Sequence, residues 1–347
     1  MPEPFADRPP PTVRDEALGA AVPAPSRPSR GRAVAIVLSI LASLLLVGGV
    51  AFYLFVWRYE PVAQRHIPGN AALVMRFDFA EIALFGPVRK HFWPLFAEQR
   101  GDVVKGKTRA ERMKEATGVD FTTDLRELYL ASADGSTWVL LLGGKIKKDR
   151  FVHGLAALAK EESWPGFHEE GELLLGPGGA AIGQADDGTL IFGNGADVVR
   201  AALPASKDYE RLALPHKGSA VFSITHEAWE GAAGQAVVAH ASVLRKIERA
   251  TGQLNLGKEP TLAMEIEPAQ GTTAPALTGE IEQLLAELRI VTLILPDQAG
   301  EKGALQAAKV AAKGDRVTVS APWSYDALDQ ACARWAERFA PVRSAAH

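Results

Sequence analysis

The pattern of hydrophobic positions begins with one long apolar run near the N-terminus of the chain. Residues 33–57, AVAIVLSILASLLLVGGVAFYLFVW, contain no charged side chain. An α-helix rises about 1.5 Å per residue, so a helix of this length crosses a hydrocarbon core of about 30 Å. Tyr53 and Trp57 lie at its C-terminal end, where amphipathic rings favour the headgroup layer. The pattern predicts a retained transmembrane helix over 33–57.

The segments on either side of this run predict how the chain is placed in a membrane. Residues 1–32 are rich in proline and lack apolar periodicity, which predicts a disordered cytoplasmic tail. Arginines flank the run, three before it and two after it: Arg27, Arg30, Arg32, Arg58 and Arg65. The positive-inside rule then favours an N-terminus in the cytoplasm and a folded part outside it. We expect a single-pass protein of the bacterial inner (cytoplasmic) membrane, with its C-terminal domain periplasmic or extracytoplasmic. The short linker 58–66 keeps that domain close to the membrane surface.

Beyond the linker, apolar runs of strand length alternate with amphipathic stretches, and the same succession occurs twice. GNAALVMRFDFAEI (69–82) and GSAVFSITHEAWE (218–230) each consist of a glycine, a strand-like run and a helix start. RMKEATGVD (112–120) and KIERATGQL (246–254) both contain Ala-Thr-Gly. We interpret each as the end of a charged helix, with its glycine as the helix C-cap.

Each copy continues with an amphipathic helix and closes with a hairpin and a further helix. Apolar residues recur at helical spacing over 151–158 and over 281–288. The hairpin turns are expected at Asp187-Gly188 and at Gly314-Asp315.

This succession predicts an α+β fold of two tandem, internally duplicated modules, 67–205 and 216–342. The element order β-α-α-β-β-α-β-β-β-α indicates mainly antiparallel sheets with helices on one face.

Composition excludes several classes of protein. The chain has 347 residues, of which 47% are hydrophobic, so it is able to bury a large core. Lys and Arg number 38 against 41 Asp and Glu, a net charge of -3, which gives no indication of a nucleic-acid partner. The single cysteine, Cys332, rules out an intramolecular disulfide and a cysteine-based zinc cluster.

One stretch matches the phosphate-binding pattern G-x-x-x-x-G-K-[ST]. It is GDVVKGKT, with Gly101, Gly106, Lys107 and Thr108 at the defining positions. A phosphate-binding loop needs a buried strand before it and a helix after it, so that backbone amides meet the anion. Helical spacing precedes this stretch instead of a strand pattern, so we interpret it as a connector between helices.

Two further matches are partial. GPGGAA (176–181) fits the dinucleotide pattern G-x-G-x-x-A, but strand-like sequence follows it where a helix is required, which indicates a tight turn. His226 and Glu230 are four positions apart, as in a zinc-binding helix, yet the second histidine of H-E-x-x-H is missing. A solvated helix start is the favoured interpretation, and no metal site is predicted.

Aromatic residues cluster after the first strand-like run. Most are expected in the core between strand and helices. Because the linker keeps the folded part near the membrane, four of them are candidates for a lipid or partner surface: Phe85, Phe92, Trp93 and Phe96.

The strand openings GNAALVMRFDF and GSAVFSI and the unit DDGTLIFGNGADVVRAAL carry a resemblance to uncharacterised single-pass bacterial envelope proteins with a duplicated α+β ectodomain. It extends over most of 33–342. The resemblance implies a membrane-anchored layout and no particular activity.

The sequence contains no catalytic constellation, and we therefore expect a non-enzymatic, membrane-anchored ectodomain that binds a protein, lipid or cell-wall partner close to the membrane. Two alternatives stay open. One is a P-loop-type nucleotide-binding protein that uses 101–108, which requires the opposite topology. The other is a periplasmic lipid-binding or carrier protein. No cofactor is expected.

Overall fold

The computed structural model describes residues 61–94, 106–121, 123–294 and 296–339. The predicted tail and transmembrane run lie outside these ranges, as do Phe96 and Gly101. Within them, no helix combines the length and the apolar character needed to cross a membrane.

The described strands form one antiparallel sheet of 12 strands. In chain order they are β1 Leu73–Asp78, β2 Leu125–Ser132, β3 Trp138–Gly144, β4 His168–Glu170, β5 Leu173–Leu175, β6 Ala181–Gln184, β7 Leu190–Gly193, β8 Ala220–Thr225, β9 Ile247–Asn255, β10 Thr261–Pro268, β11 Lys309–Lys313 and β12 Arg316–Pro322. Across the sheet the order is β11-β12-β10-β9-β8-β1-β2-β3-β7-β6-β5-β4. The predicted α+β class is confirmed as a large antiparallel sheet with helices packed on it.

The helices connect these strands. They are α1 Phe79–Leu84, α2 Gly86–His91, α3 Arg109–Thr117, α4 Phe151–Glu161, α5 Ala196–Ala202, α6 Glu227–Glu230, α7 Ala232–Val238, α8 Ala274–Ile294, α9 Glu301–Ala307 and α10 Tyr325–Phe339. Short 3-10 helices occupy Ala63–His66, Pro177–Gly179, Asp208–Leu212 and Ser242–Lys246.

The sheet contains two sets of strands in the same spatial order. One is β1-β2-β3-β7-β6, the other is β8-β9-β10-β12-β11, and the two meet where β1 pairs with β8. That pairing is antiparallel and runs from Leu73↔Ile224 to Phe77↔Ala220. The strands of the two predicted modules therefore belong to one continuous sheet rather than to separate sheets.

Both predicted hairpin turns are confirmed. β6 and β7 flank Asp187-Gly188, where the Gly188 amide donates to the Ala185 carbonyl at 2.9 Å. β11 and β12 flank Gly314-Asp315, and Gly314 has the positive φ of 63° that a tight turn requires.

The two Ala-Thr-Gly stretches have different structures. Gly118 caps the C-terminus of α3 at φ 74°, as expected. The prediction is wrong for Gly252, which lies inside β9 opposite Phe222 and Met264. A Cβ atom at Gly252 would lie 2.4 Å from the Phe222 ring, so this glycine makes room for a cross-strand aromatic side chain.

Two hydrophobic clusters lie on opposite faces of β3 and its neighbours. Leu141 shares one buried cluster with Val199 of α5, and the adjacent Leu142 shares another with Phe151 of α4. Successive residues of a strand point to opposite faces. The expectation of helices on one face is therefore wrong for this part of the sheet, because both of its faces are apolar and each needs a helix to bury it.

A third cluster forms under α8. Leu277 and Ile281 of this helix pack with Ile266 of β10 and Val317 of β12. This helix buries one face of the β9–β10–β12 part of the sheet.

Candidate binding groove

Rows of directly opposed residues cross the sheet and change from apolar to polar along the way. Opposed residues on neighbouring strands lie on the same face of a sheet. From β7 to β12, one row consists of Ile191, Leu141, Tyr129, Arg76, Val221, Gln253, Ala263 and Ser320. From β3 to β12, the next row on that face consists of Val139, Ala131, Val74, Ser223, Thr251, Glu265 and Thr318. A single face is thus hydrophobic over β2, β3 and β7 and polar over β9, β10 and β12.

Over the described ranges, helices cover the apolar part of this face and not the polar part. The helix that follows β7, α5, buries Val199 against it. The corresponding helix after β12 is α10, and it packs against α2 instead. There Lys90 Nζ lies 2.8 Å from Asp329 Oδ2, and the rings of Phe85 and Tyr325 meet edge to face at 5.4 Å. In the part of the chain that the structure describes, the polar part of the face is therefore open.

The open part forms a groove of about 780 Å³, called the groove below. Its floor is the polar face of β9, β10 and β12, and its side is the segment 209–216 that precedes β8. Three floor side chains make no hydrogen bond to the described part of the protein: Thr251, Gln253 and Ser320. The groove thus offers an amide and two hydroxyl groups to a ligand.

Four charged side chains of the floor neutralise one another. Arg249 Nη2 lies 2.7 Å from Glu267 Oε2, and Arg316 Nη2 lies 2.7 Å from Glu267 Oε1. Arg316 Nη1 also lies 3.0 Å from Glu265 Oε2. Two arginines and two glutamates therefore form one chain of ion pairs across three strands.

Arg76 differs from these arginines in its partners. Its terminal nitrogens donate to the carbonyls of His216 and Gly218 at 3.3 to 3.4 Å, which is long for such bonds. Its Nε atom is buried without a hydrogen-bond partner. Its side chain also hydrogen-bonds the Tyr129 hydroxyl, which is uncharged. In the described ranges no carboxylate lies within ion-pair distance of Arg76.

Tyr129, opposite Arg76 in the row, is buried and fixed by a carboxylate. Its hydroxyl donates to Glu127 Oε2 at 3.1 Å. Burial and then the Glu127 charge raise the pKa of Tyr129 well above its usual range, against an opposing effect of Arg76. Tyr129 is therefore protonated at every physiological pH.

Glu127 also accepts the backbone amides of Val62 and Ala63, both at 3.1 Å, which anchors the first described residues to β2.

The described part of the phosphate-loop match forms a helix cap. Lys107 pairs with Glu115 at 2.6 Å on the surface. Thr108 is the N-cap of α3, and its hydroxyl and backbone amide take part in a capping box with Glu111. Upstream, Gly86–His91 is helical and not a strand.

The predicted turn at 176–181 is confirmed, since the 3-10 helix Pro177–Gly179 joins β5 to β6.

The two residues considered for a metal remain a loose pair. His226 Nε2 lies 3.9 Å from Glu230 Oε1, and His226 Nδ1 lies 3.0 Å from the Ile247 carbonyl. Over the residues that the structure describes, no group of three or more His, Cys, Asp or Glu side chains is placed to hold a metal ion.

Three of the four aromatic candidates lie in the described ranges, and they differ in exposure. Phe85 is only 7% exposed and packs on Tyr325, so it belongs to the contact between α2 and α10. This corrects its placement on a lipid or partner surface. Phe92 is half-buried, whereas Trp93 is 53% exposed.

Sequence reasoning missed the groove residues. A signal exists, because Glu265 and Glu267 alternate with apolar residues in one strand, as do Arg316 and Thr318 in another. Such alternation indicates strands with one polar face. It does not reveal which strands are neighbours, and hence it does not bring these residues to Arg76.

No protein-family model matches the chain, and no curated protein matches it in sequence. Among solved structures, crystal form I of TP0453 is similar over 80% of this chain and 98% of that chain, with 10% sequence identity and a TM-score of 0.39. This likeness is too distant to assign a function.

Proposed function

We propose that this protein is a membrane-anchored, non-enzymatic binding protein of the bacterial envelope, and that the groove is its binding surface. The observation that carries the proposal is the open polar part of a sheet face that a helix covers elsewhere. A volume of about 780 Å³ falls within the range of ligand-binding sites. The paired charges of the floor suit recognition, because they hold each other in fixed positions.

The membrane anchor in this proposal rests on the uncharged run 33–57 and its flanking arginines. Under this proposal, the partner is a protein, lipid or cell-wall component of the envelope. We also propose that the two sets of strands arose by duplication of one module, since they share a spatial order. Under that proposal, one copy kept its covering helix and the other exposed its face for binding.

The binding surface is tested by filling the groove. The full chain in nanodiscs is sedimented with peptidoglycan sacculi and, separately, with envelope membrane vesicles. Ala263→Trp places a large ring on the groove floor, and Ala276→Trp places the same ring on an exposed position of α8 as a control. We expect Ala263→Trp alone to lose co-sedimentation with the partner material. Equal co-sedimentation of both variants and the unaltered chain would exclude the groove as the binding surface.

The topology is tested by fusing alkaline phosphatase, which is active only outside the cytoplasm, to the C-terminus. A fluorescent protein that reports the cytoplasm serves as the control. Phosphatase activity is the expected result. Fluorescence without phosphatase activity would place the groove in the cytoplasm and contradict the proposal.

A further inference from the structure

Among the described residues that line the groove, Arg76 is the one arginine or lysine without a carboxylate partner. Arg249 and Arg316 are paired with Glu265 and Glu267. Arg76 has long hydrogen bonds to two backbone carbonyls and a hydrogen bond with the uncharged Tyr129 hydroxyl. The remaining carboxylate that lines the groove, Glu210, lies exposed at its edge and is not within ion-pair distance of Arg76.

This arrangement favours one negative charge on the ligand and disfavours several. A guanidinium binds a carboxylate through two parallel hydrogen bonds. The two glutamates of the floor would repel a second anionic group, since like charges in a partly desolvated site are unfavourable. A monoanion fits these charges better than a phosphate dianion.

The neutral part of the ligand is indicated by the side chains that follow Arg76 in the row of opposed residues from Ile191 to Ser320. Neighbouring strands lie about 4.8 Å apart, so Gln253 is about 10 Å from Arg76 along the sheet and Ser320 is about 19 Å away. The free side chains in this stretch are an amide and hydroxyls, which pair with the amide and hydroxyl groups of a ligand. A ligand that reaches from Arg76 to Gln253 has the length of a short peptide or of an amino sugar with a side chain.

We infer that the groove binds a small carboxylate-bearing ligand of peptide or amino-sugar character, with its carboxylate held by Arg76 and its amide and hydroxyl groups on Gln253 and Thr251. The inference rests on the proposed function and names the ligand class of the same groove. Short peptides and amino sugars share this chemistry, and the experiment distinguishes them.

The test is titration calorimetry of the full chain in nanodiscs with matched probes. N-acetyl-alanyl-alanine is compared with its C-terminal amide, and N-acetylmuramic acid with N-acetylglucosamine, while inorganic phosphate tests a different anion. We expect each acid that binds to do so at least about tenfold more tightly than its neutral counterpart. The acid that binds more tightly identifies the peptide or the sugar source.

Two variants test whether Arg76 holds the carboxylate of the ligand. Arg76→Gln should weaken binding of the acid at least about tenfold. Arg89→Gln removes an exposed arginine of α2 and should bind the acid as the unaltered chain does. The comparison of acid with neutral probe on the unaltered chain needs no variant, so it decides the question even if Arg76→Gln does not fold.

Three results would overturn the inference. They are equal affinity for acid and neutral probe, unchanged affinity in a folded Arg76→Gln variant, and tighter binding of inorganic phosphate than of both carboxylates. If none of the probes binds while the chain still co-sediments with sacculi in a groove-dependent way, the ligand class is wrong and the proposed function stands. Loss of groove-dependent co-sedimentation overturns the proposed function itself.

Discussion

His66 is a buried histidine whose two ring nitrogens both face oxygen acceptors. Nδ1 lies 2.9 Å from the Ala202 carbonyl, and Nε2 lies 3.0 Å from Asp187 Oδ2. Both nitrogens are donors only in the imidazolium form. Burial lowers the pKa of His66, but hydrogen bonds to Asp187 and Ala202 outweigh it, and the net pKa lies above 6.5. Burial raises the pKa of Asp187, but its hydrogen bond with His66 dominates, and the net pKa lies below 3.8.

Replacing His66 should therefore lower stability in a pH-dependent manner. A raised histidine pKa stabilises the fold fully below about pH 6.5 and ceases to do so as pH rises through the folded value. The lowered pKa of Asp187 stabilises the fold above about pH 3.8 and ceases to do so as pH falls through its folded value. We expect His66→Gln to lower the free energy of unfolding by about 1–3 kcal/mol at about pH 5.5 and by less at about pH 8.5. Urea unfolding of the full chain and the variant measures the difference.

The control for this prediction is an exposed histidine with a similar ion pair. His153 lies 3.0 Å from Glu169 but is 73% exposed, so His153→Gln should change stability little at either pH. If His66→Gln destabilised the chain equally at both pH values, His66 would be neutral in the folded protein.

At the scale of elements, the start of α3 distinguishes a helix cap from a nucleotide loop. Thr108→Ala removes the capping hydroxyl and should lower the free energy of unfolding by about 1 kcal/mol. Thr108→Ser keeps a capping hydroxyl and should retain most of that stability. Lys107→Ala removes only an exposed ion pair and should leave stability almost unchanged. Urea unfolding measures the stability of these three variants. Calorimetry with ATP should detect no binding to the unaltered chain or to Lys107→Ala. ATP binding that is lost in Lys107→Ala would restore the nucleotide-binding alternative.

A second prediction at this scale concerns the glycine inside β9. Gly252→Ala places a Cβ atom 2.4 Å from the Phe222 ring, which has to move away from its cross-strand position. We expect a loss of about 1–3 kcal/mol in the free energy of unfolding, as for overpacked sites. Gly257→Ala is the matched control, because a Cβ there has no heavy atom within 4 Å. Equal stability of the two variants in thermal unfolding would show that the Phe222 ring adapts without cost.

Elements governed by local chemistry were predictable, and those governed by distant neighbours were not. Asp187-Gly188 and Gly314-Asp315 determine their own turns through residues that accept tight-turn dihedrals. Gly252 follows the same Ala-Thr as Gly118, yet it pairs with strands far along the chain. Its environment depends on Phe222, which sequence similarity to a helix end does not reveal.

At the scale of the whole molecule, the pairing of β1 with β8 determines what the protein presents to its surroundings. It joins the two sets of strands into one sheet and places the apolar face beside the polar one. Arg76 belongs to the groove because this pairing sets it opposite Val221, two strands from Gln253. Register between strands so distant in sequence follows from the packing of the whole sheet, so sequence patterns predicted the strands and not the site.

A continuous sheet should unfold as one cooperative unit, whereas two separate modules would unfold independently. Val74 of β1 and Val221 of β8 are buried within the β1–β8 pairing, so separating the two parts would expose core surface on both sides. We expect peptides that cover β2 and β9 to lose hydrogen-exchange protection at the same urea concentration in the full chain. Peptides that cover β4, an exposed strand at the sheet edge, should lose it earlier and serve as the reference for local opening. If β9 lost protection while β2 kept it, the groove would belong to a module that folds independently. The orientation of that module relative to Arg76 would then not be fixed. A ligand that needs both Arg76 and Gln253 would bind only to those molecules in which β1 and β8 are paired.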